Sequence, residues 1–346
     1  MKALIILSGL VIALLLGLFP SISKKKSPWW AVTVISLVAL TIILSIYPPL
    51  ATDFADARRI ASIDPTKKIN VMGYVIPEKN IYSIQDENWA VQLFRLDGSV
   101  MGKFEIDSKS LPEEFKKSQK VVVKIKFDKD NARFDYISTE AVNPLITLPF
   151  IAGLEEMSKI LNFHVPMSWV AVLAFLMSMI FAIMYLVKKD VKYDIYASST
   201  ASLGLIFSIL ATVTGMIWAK FAWGSFWHWD PRETSIFVLL LIYAAYFALR
   251  MSIEKPDTRY RLSAVYSIIA FVTVPFFIFI IPRLASGLHP GSASDTNSGP
   301  IVSSDPDALN YFKQYTFSLA LMSFTLVYFW LLNIQVRYKK IKLLKG

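Results

Sequence analysis

Seven apolar runs dominate the chain, and they restrict it to one class of fold before any other feature is weighed. They cover Ala3–Phe19, Val32–Tyr47, Val170–Val187, Ala197–Trp218, Ile236–Leu249, Leu262–Ile281 and Phe317–Leu332. An α-helix needs about 20 residues to cross a bilayer, and inside the hydrocarbon it must satisfy its own backbone polar groups. With 55% hydrophobic and 18% charged residues, the composition is too apolar for a purely soluble protein. The net charge of +10 could suggest nucleic acid as a partner. Instead the basic residues gather beside the apolar runs, at Lys24–Lys26, Lys188–Lys189, Arg250–Arg261 and Arg337–Lys342, as cytoplasmic loops of membrane proteins do. A seven-span path puts each of these clusters inside and His164, His228 and His289 outside. No nucleic-acid role is expected, and membrane lipid is the surrounding medium. The absence of cysteine excludes disulfides, thiolate metal sites and any C-x-x-C-H attachment site.

The first run looks like a secretory signal, but Lys24–Lys26 behind it resists export, so it reads as a retained helix with its N-terminus outside. The second enters through Trp29–Trp30 and ends at Pro48–Pro49. From about Ala51 to Val142 the character changes to short alternating segments. Ile69, Val71 and Val75 fit one strand face; Trp89, Val91 and Leu93 another; Val121, Val123, Ile125 and Phe127 a third. Asp97–Gly98 supplies a hairpin turn before Val100, Asp128–Asn131 a polar turn, and Phe134, Tyr136 and Ser138 a last strand. Many short strands within one such stretch predict a small closed or partly closed barrel. Leu145–Phe163 carries Glu155, Glu156 and Lys159 and reads as a helix on the outer membrane surface.

Between the fourth and fifth runs lies Trp223-Gly224-Ser225-Phe226-Trp227-His228-Trp229-Asp230-Pro231-Arg232-Glu233-Thr234. Indoles collect at membrane interfaces, so an aromatic belt is the plain reading. The order WGxxWxWD followed by a basic residue and Thr resembles the "WWD" signature of the haem-handling proteins of cytochrome c biogenesis, CcmC, CcmF and CcsA. His164-Val165-Pro166 before Trp169, and Leu288-His289 before Pro290-Gly291, are similar to the two histidine motifs of CcmC. The resemblance implies that His164 and His289 are axial ligands of haem iron, with haem b held transiently and non-covalently against the Trp-rich loop. Trp223, Gly224, Trp227 and Trp229 are then expected to face it, with Arg232 and Arg283 on its propionates and Lys159 a weaker third cation. Asp230 is expected to cap the helix that starts near Pro231 or to orient an indole, not to move protons. His228 occupies a variable position in the signature and reads as interfacial.

Ile69–Val75, Leu96–Val100, Leu111–Phe115 and Val121–Val123 follow the order of the haem chaperone CcmE, whose fold is an OB barrel. Where that family carries a haem-attaching His or Cys, this chain reads Ser138-Thr139-Glu140-Ala141-Val142-Asn143-Pro144. Covalent haem capture by the barrel is therefore not expected. The expected fold is a polytopic α-helical membrane protein of about seven transmembrane helices with one extracytoplasmic, OB-like β-barrel. Its expected parts are two helices in residues 1–49, a CcmE-like barrel in 50–143 and a CcmC-like haem-handling domain in 144–346. The resemblance implies a bacterial cytoplasmic-membrane protein whose N-terminus and barrel are outside and whose C-terminus is inside. It implies as partners a CcmE-like chaperone, CcmA/CcmB-type ABC transporter subunits and a CcmD-like small protein, which the first helix itself resembles in orientation. Handling and transfer, not catalysis, is the expected role. The alternatives are a CcsA-like exporter and cytochrome c synthase component, favoured by Pro231-Arg232-Glu233-Thr234, and a transporter for a non-haem ligand with an outer sensor domain.

Overall fold

The computed structural model describes residues 2–19, 21–46, 51, 54–77, 81–83, 89–94, 100–106, 111–144, 159–289, 292–293 and 311–345. The Asp97–Gly98 turn, Pro48–Pro49, Pro290–Gly291 and most of the surface helix expected over Leu145–Phe163 lie outside the described residues. The chain divides into two compact units, residues 1–46 with 149–346 and residues 47–148.

The helical unit contains α1 (Lys2–Leu18), α2 (Pro28–Ile46), α4 (Leu161–Lys188), α5 (Val191–Trp223), α6 (Pro231–Ser252), α7 (Pro256–Pro275), α8 (Ile281–Leu284) and α9 (Tyr311–Lys345); α3 belongs to the second unit. Among the described residues, six spans are long and apolar enough to cross a membrane, with α7, a π turn at Phe276–Ile280 and α8 forming one of them. The multi-pass helical fold is as expected. The seventh expected span, α1, is the short one: 17 residues reach only about 26 Å at about 1.5 Å per residue. It packs lengthwise on α9. Glycine is required there, because a Cβ on Gly17 would lie 2.1 Å from the Phe329 ring. The amide of Asn333 on α9 donates to the carbonyl of Lys24 at 2.7 Å, tying down the turn that follows α1.

The helix ends follow local chemistry. Asp190 caps α5 by accepting from the Lys192 N–H at 2.9 Å, and Lys189 takes a left-handed conformation that closes α4. The core of the bundle is aromatic and close-packed. Phe175 of α4 stacks on Tyr243 of α6 and fills the space that the missing Cβ of Gly204 leaves on α5. Buried polar pairs join helices where lipid would leave them unsatisfied: Thr41 with Ser323, Asn162 with Ser45, Ser178 with Ser267.

The second unit is the expected barrel. Its strands are β1 (Lys68–Val75), β2 (Ile81–Ser83), β3 (Trp89–Phe94), β4 (Val100–Ile106), β5 (Gln119–Asp128) and β6 (Arg133–Val142). The sheet order β1-β5-β6-β4-β3-β2 closes through a β1–β3 pairing, and β4 runs parallel to β6, which is the OB-type arrangement with β2 appended. Ile69, Val71, Val75, Val91, Leu93, Val121, Val123, Ile125 and Phe134 point inward as their alternation requires. The barrel is plugged by α3 (Phe54–Ile63), whose Phe54, Ala57 and Ala61 enter the same core.

Candidate functional site

The Trp-rich segment joins α5 to α6, and both helix ends are built to hold it. Trp223 is the last residue of α5; Gly224 follows at φ +87° and donates its N–H to the Lys220 carbonyl, a left-handed cap that turns the chain back. At the far end Asp230 is the N-cap of α6, Pro231 its first residue and Glu233 the partner of a reciprocal capping box. Asp230 Oδ1 accepts the Arg232 N–H at 2.9 Å, while Glu233 Oε2 accepts from the N–H groups of Asp230 at 3.2 Å and His228 at 2.7 Å. The capping role expected of Asp230 is thus present, and Glu233 extends it across the loop.

Asp230 has a second bond that the sequence does not announce. Its Oδ2 accepts the Leu288 N–H at 2.7 Å. This fixes the segment after α8 against the Trp-rich loop, immediately before His289. Gly287 permits the approach, since a Cβ there would lie 2.5 Å from the same oxygen. Ser292 closes the segment through bonds to Gly287 and His289 carbonyls.

The two expected histidines pack against successive turns of α5. His164 lies in the first turn of α4, not in a loop ahead of the span; Pro166, two residues on, sits inside the helix and forgoes the backbone bond to the Asn162 carbonyl. Its ring packs against Gly215, where a Cβ would come within 2.9 Å of Cε1. Nδ1 is 2.8 Å from the Ala211 carbonyl. A carbonyl only accepts, so Nδ1 carries the proton and Nε2 keeps its lone pair. One turn further along α5, Trp218 meets the His289 ring at 5.8 Å, and Trp223 meets it at 6.4 Å.

The indoles fall into two groups. Trp218 and Trp223 pack on each other and on His289, and His228 meets the Trp223 ring. Trp227 and Trp229 pack on each other at 5.7 Å and on Phe237 of α6. Trp229 takes φ +57° and leaves its side chain 67% exposed. Trp218 was not among the expected site residues. Its signal was its place one turn beyond Thr214-Gly215, on which His164 rests.

Arg232 is half-buried, and its Nε has no hydrogen-bond partner among the described residues. It acts electrostatically on His164, and Arg283 acts on it. Asp230, the acid beside it, has both oxygens committed to backbone N–H groups. Two guanidinium groups are thus held at one end of the bundle without a bridging carboxylate among the described residues, an arrangement that suits an incoming anion. His228 Nδ1 is likewise buried without a partner.

This geometry falls within a family region. The model of the CcmC family, Heme exporter protein C, matches residues 137–342, more than half of the chain. The chain belongs to the CcmC family. Heme exporter protein C of Paracoccus denitrificans is 28% identical over 179 residues, 52% of this chain and 71% of that protein. Heme exporter protein C of Rhodobacter capsulatus is 31% identical over 144 residues, 42% of this chain and 60% of that protein. Cytochrome c biogenesis protein CcsA of Cuscuta reflexa is 33% identical over 96 residues, 28% of this chain and 30% of that protein. The chain therefore spans between about a third and about seven-tenths of the length of these relatives. The CcmC-like membrane protein suggested by the WWD signature is what the family match shows. The described histidines and arginines fit a haem: an imidazole with its metal-binding nitrogen free, a second imidazole one turn away, and guanidinium donors left open for carboxylates.

Asp230 supplies a prediction. Replacing it by alanine removes a helix cap worth about 1 kcal/mol and leaves the Leu288 N–H unsatisfied, worth a further 1–3 kcal/mol or about that. Asp230→Ala should lower the melting temperature and speed amide exchange across residues 285–289. Asp230→Asn, a good N-cap, should keep most of the helix stability. Unchanged exchange in the alanine variant would show that the tie to Leu288 does not hold the loop.

Proposed function

We propose that this protein handles haem for cytochrome c biogenesis. It holds haem b transiently and non-covalently between Nε2 of His164 and the ring of His289, with Trp218 and Trp223 against the macrocycle and Arg232 and Arg283 on its propionates. The observation that carries this reading is the His164 ring, whose Nδ1 bond to Ala211 leaves Nε2 available one helical turn from the Trp218–His289 contact. Bound iron supplies two open axial positions, and neutral imidazoles are suited to both. A carbonyl partner behind an imidazole is the usual device that fixes its orientation toward a metal. Trp227 and Trp229, packed on α6, serve as an outer shelf.

The basic clusters and the histidine site sit at opposite ends of the spans, so the positive-inside rule puts the site on the non-cytoplasmic face of a bacterial inner membrane, with the C-terminus inside. The barrel, placed on the outer side by the same rule, lacks a haem-attaching side chain at Ser138–Pro144 and acts as a docking or gating domain. A CcmE-like chaperone or an apocytochrome accepts the haem. CcmA/CcmB-type transporter subunits and a CcmD-like protein complete the assembly, with α1 already filling one helix position against α9. A CcsA-like role in export and ligation is the second reading, favoured by the Pro231-Arg232-Glu233-Thr234 capping box and the CcsA relatives.

Titrating haem into the purified full-length protein tests the reading. The expected spectrum is that of six-coordinate, low-spin iron with two imidazole ligands, in both oxidation states. No Soret change, or a spectrum with a single imidazole, overturns it.

A further inference from the structure

At the end of the helical unit opposite the Trp-rich loop is a cavity of about 520 Å³ among α5, α6, α7 and α9. Its polar wall is strongly cationic. Arg250, Arg259, Lys339 and Lys342 line it, and Asp194 is the lone carboxylate among its lining residues. That carboxylate is consumed by Arg250, to which it is paired through two hydrogen bonds. Among the described residues, no ion pair engages Arg259, Lys339 or Lys342. Arg250 and Arg259 both lie over the Tyr260 ring, at 5.7 and 5.3 Å, and Lys339 donates to Ser198 Oγ at 3.1 Å. These contacts hold the cations in place without neutralising them. The remaining wall, including Phe247, Met251 and Leu343, is apolar.

We propose that this cavity binds the phosphodiester headgroup of an anionic membrane phospholipid. Three excess cations, one a planar guanidinium, match the oxygens of a phosphate. The depth is right as well. Asp194 and Trp223 stand about 44 Å apart along α5 at about 1.5 Å per residue, more than the roughly 30 Å hydrocarbon thickness. The cavity therefore falls in the headgroup layer, and its apolar wall continues into the layer of acyl chains. A basic pocket between helices at that depth is where lipid phosphate is recognised. An acidic peptide would use the cations but not the apolar wall.

The test uses the full-length protein in nanodiscs of phosphatidylcholine doped with phosphatidylglycerol, with retained lipid counted by native mass spectrometry. Wild type should enrich phosphatidylglycerol over phosphatidylcholine. Arg259→Gln/Lys339→Gln should lose that enrichment by about five-fold for each cation removed, with an unchanged melting temperature in phosphatidylcholine alone. Lys342→Gln, at an exposed position, should lose about five-fold by itself and serves if the double variant does not fold. Equal enrichment in wild type and variants overturns the proposal. Release of the lipid by millimolar inorganic phosphate, or cation-dependent binding of a glutamate-rich peptide without phosphatidylglycerol enrichment, overturns it in favour of free phosphate or a protein partner. The haem site lies at the other end of α5, so either result leaves the haem titration to be judged separately.

Discussion

Haem affinity is expected to fall by more than about 100-fold when either His164 or His289 is replaced by alanine, and to reach background in the double variant. The scale follows from ligation chemistry: removing only a partner behind a metal ligand costs about 10- to 100-fold, and removing the ligand itself costs more. The single variants should differ in character. His164 is packed between α4 and α5 over Gly215, so His164→Ala opens a small hole that external imidazole can enter. His289 is carried by a segment tied to Asp230, and its loss removes ring contacts with Trp218 and Trp223 at the end of α5 while leaving α4 untouched. Each single variant should give a spectrum with one imidazole, and added imidazole should restore the two-imidazole spectrum in His164→Ala. Melting temperatures within a few degrees of wild type separate ligation from folding. An imidazole-ligated haem spectrum that persists in the double variant would place a ligand at His228, the one imidazole left in the chain, whose Nδ1 has no partner among the described residues.

Much of this molecule could be read before its coordinates, because membrane and barrel both impose strict periods on sequence. Lipid requires long unbroken apolar runs, and each long span contains or nearly contains such a run, α4 starting earliest, at Leu161 ahead of Val170. The barrel requires alternation, and Val121, Val123 and Ile125 are buried on the expected face. What escaped has physical reasons. The plug helix α3 shows its apolar residues only at Phe54, Ala57 and Ala61, and two alanines carry little hydrophobic signal. His-Val-Pro reads as loop because proline ends helices, yet Pro166 lies inside α4, where it forgoes one backbone bond. The Trp-rich loop reads as one aromatic surface, whereas the left-handed backbone at Trp229 separates Trp227 and Trp229 from Trp223. Trp218 joins the site only because α5 runs past its apolar stretch to Trp223. Charge pairing across distant positions has no period at all. Asp194 and Arg250 stood in separate basic-flanked segments, and nothing in either segment names the other.

That pair carries the second large effect. Asp194→Ala is expected to destabilise the protein by about 3–5 kcal/mol, the range for removing one partner of a buried ion pair. Asp194 is 5% and Arg250 16% exposed in their side chains, and the two meet through a bidentate contact. Without the carboxylate, the guanidinium stays among helices beside Lys339 and Arg259, with the Tyr260 ring and the Tyr246 hydroxyl to offset it. The cost is thus mainly that of a stranded charge, not of a lost attraction. The distinction can be measured. Asp194→Leu/Arg250→Met removes both charges and fills the space with apolar side chains, so it should recover most of the stability lost in Asp194→Ala. A melting temperature for Asp194→Ala equal to wild type would mean that water reaches the pair. A double variant no better than the single would mean that the attraction itself holds α5 to α6. Haem binding by whatever fraction remains folded should be unchanged in both, since His164 and His289 pack against the far end of α5.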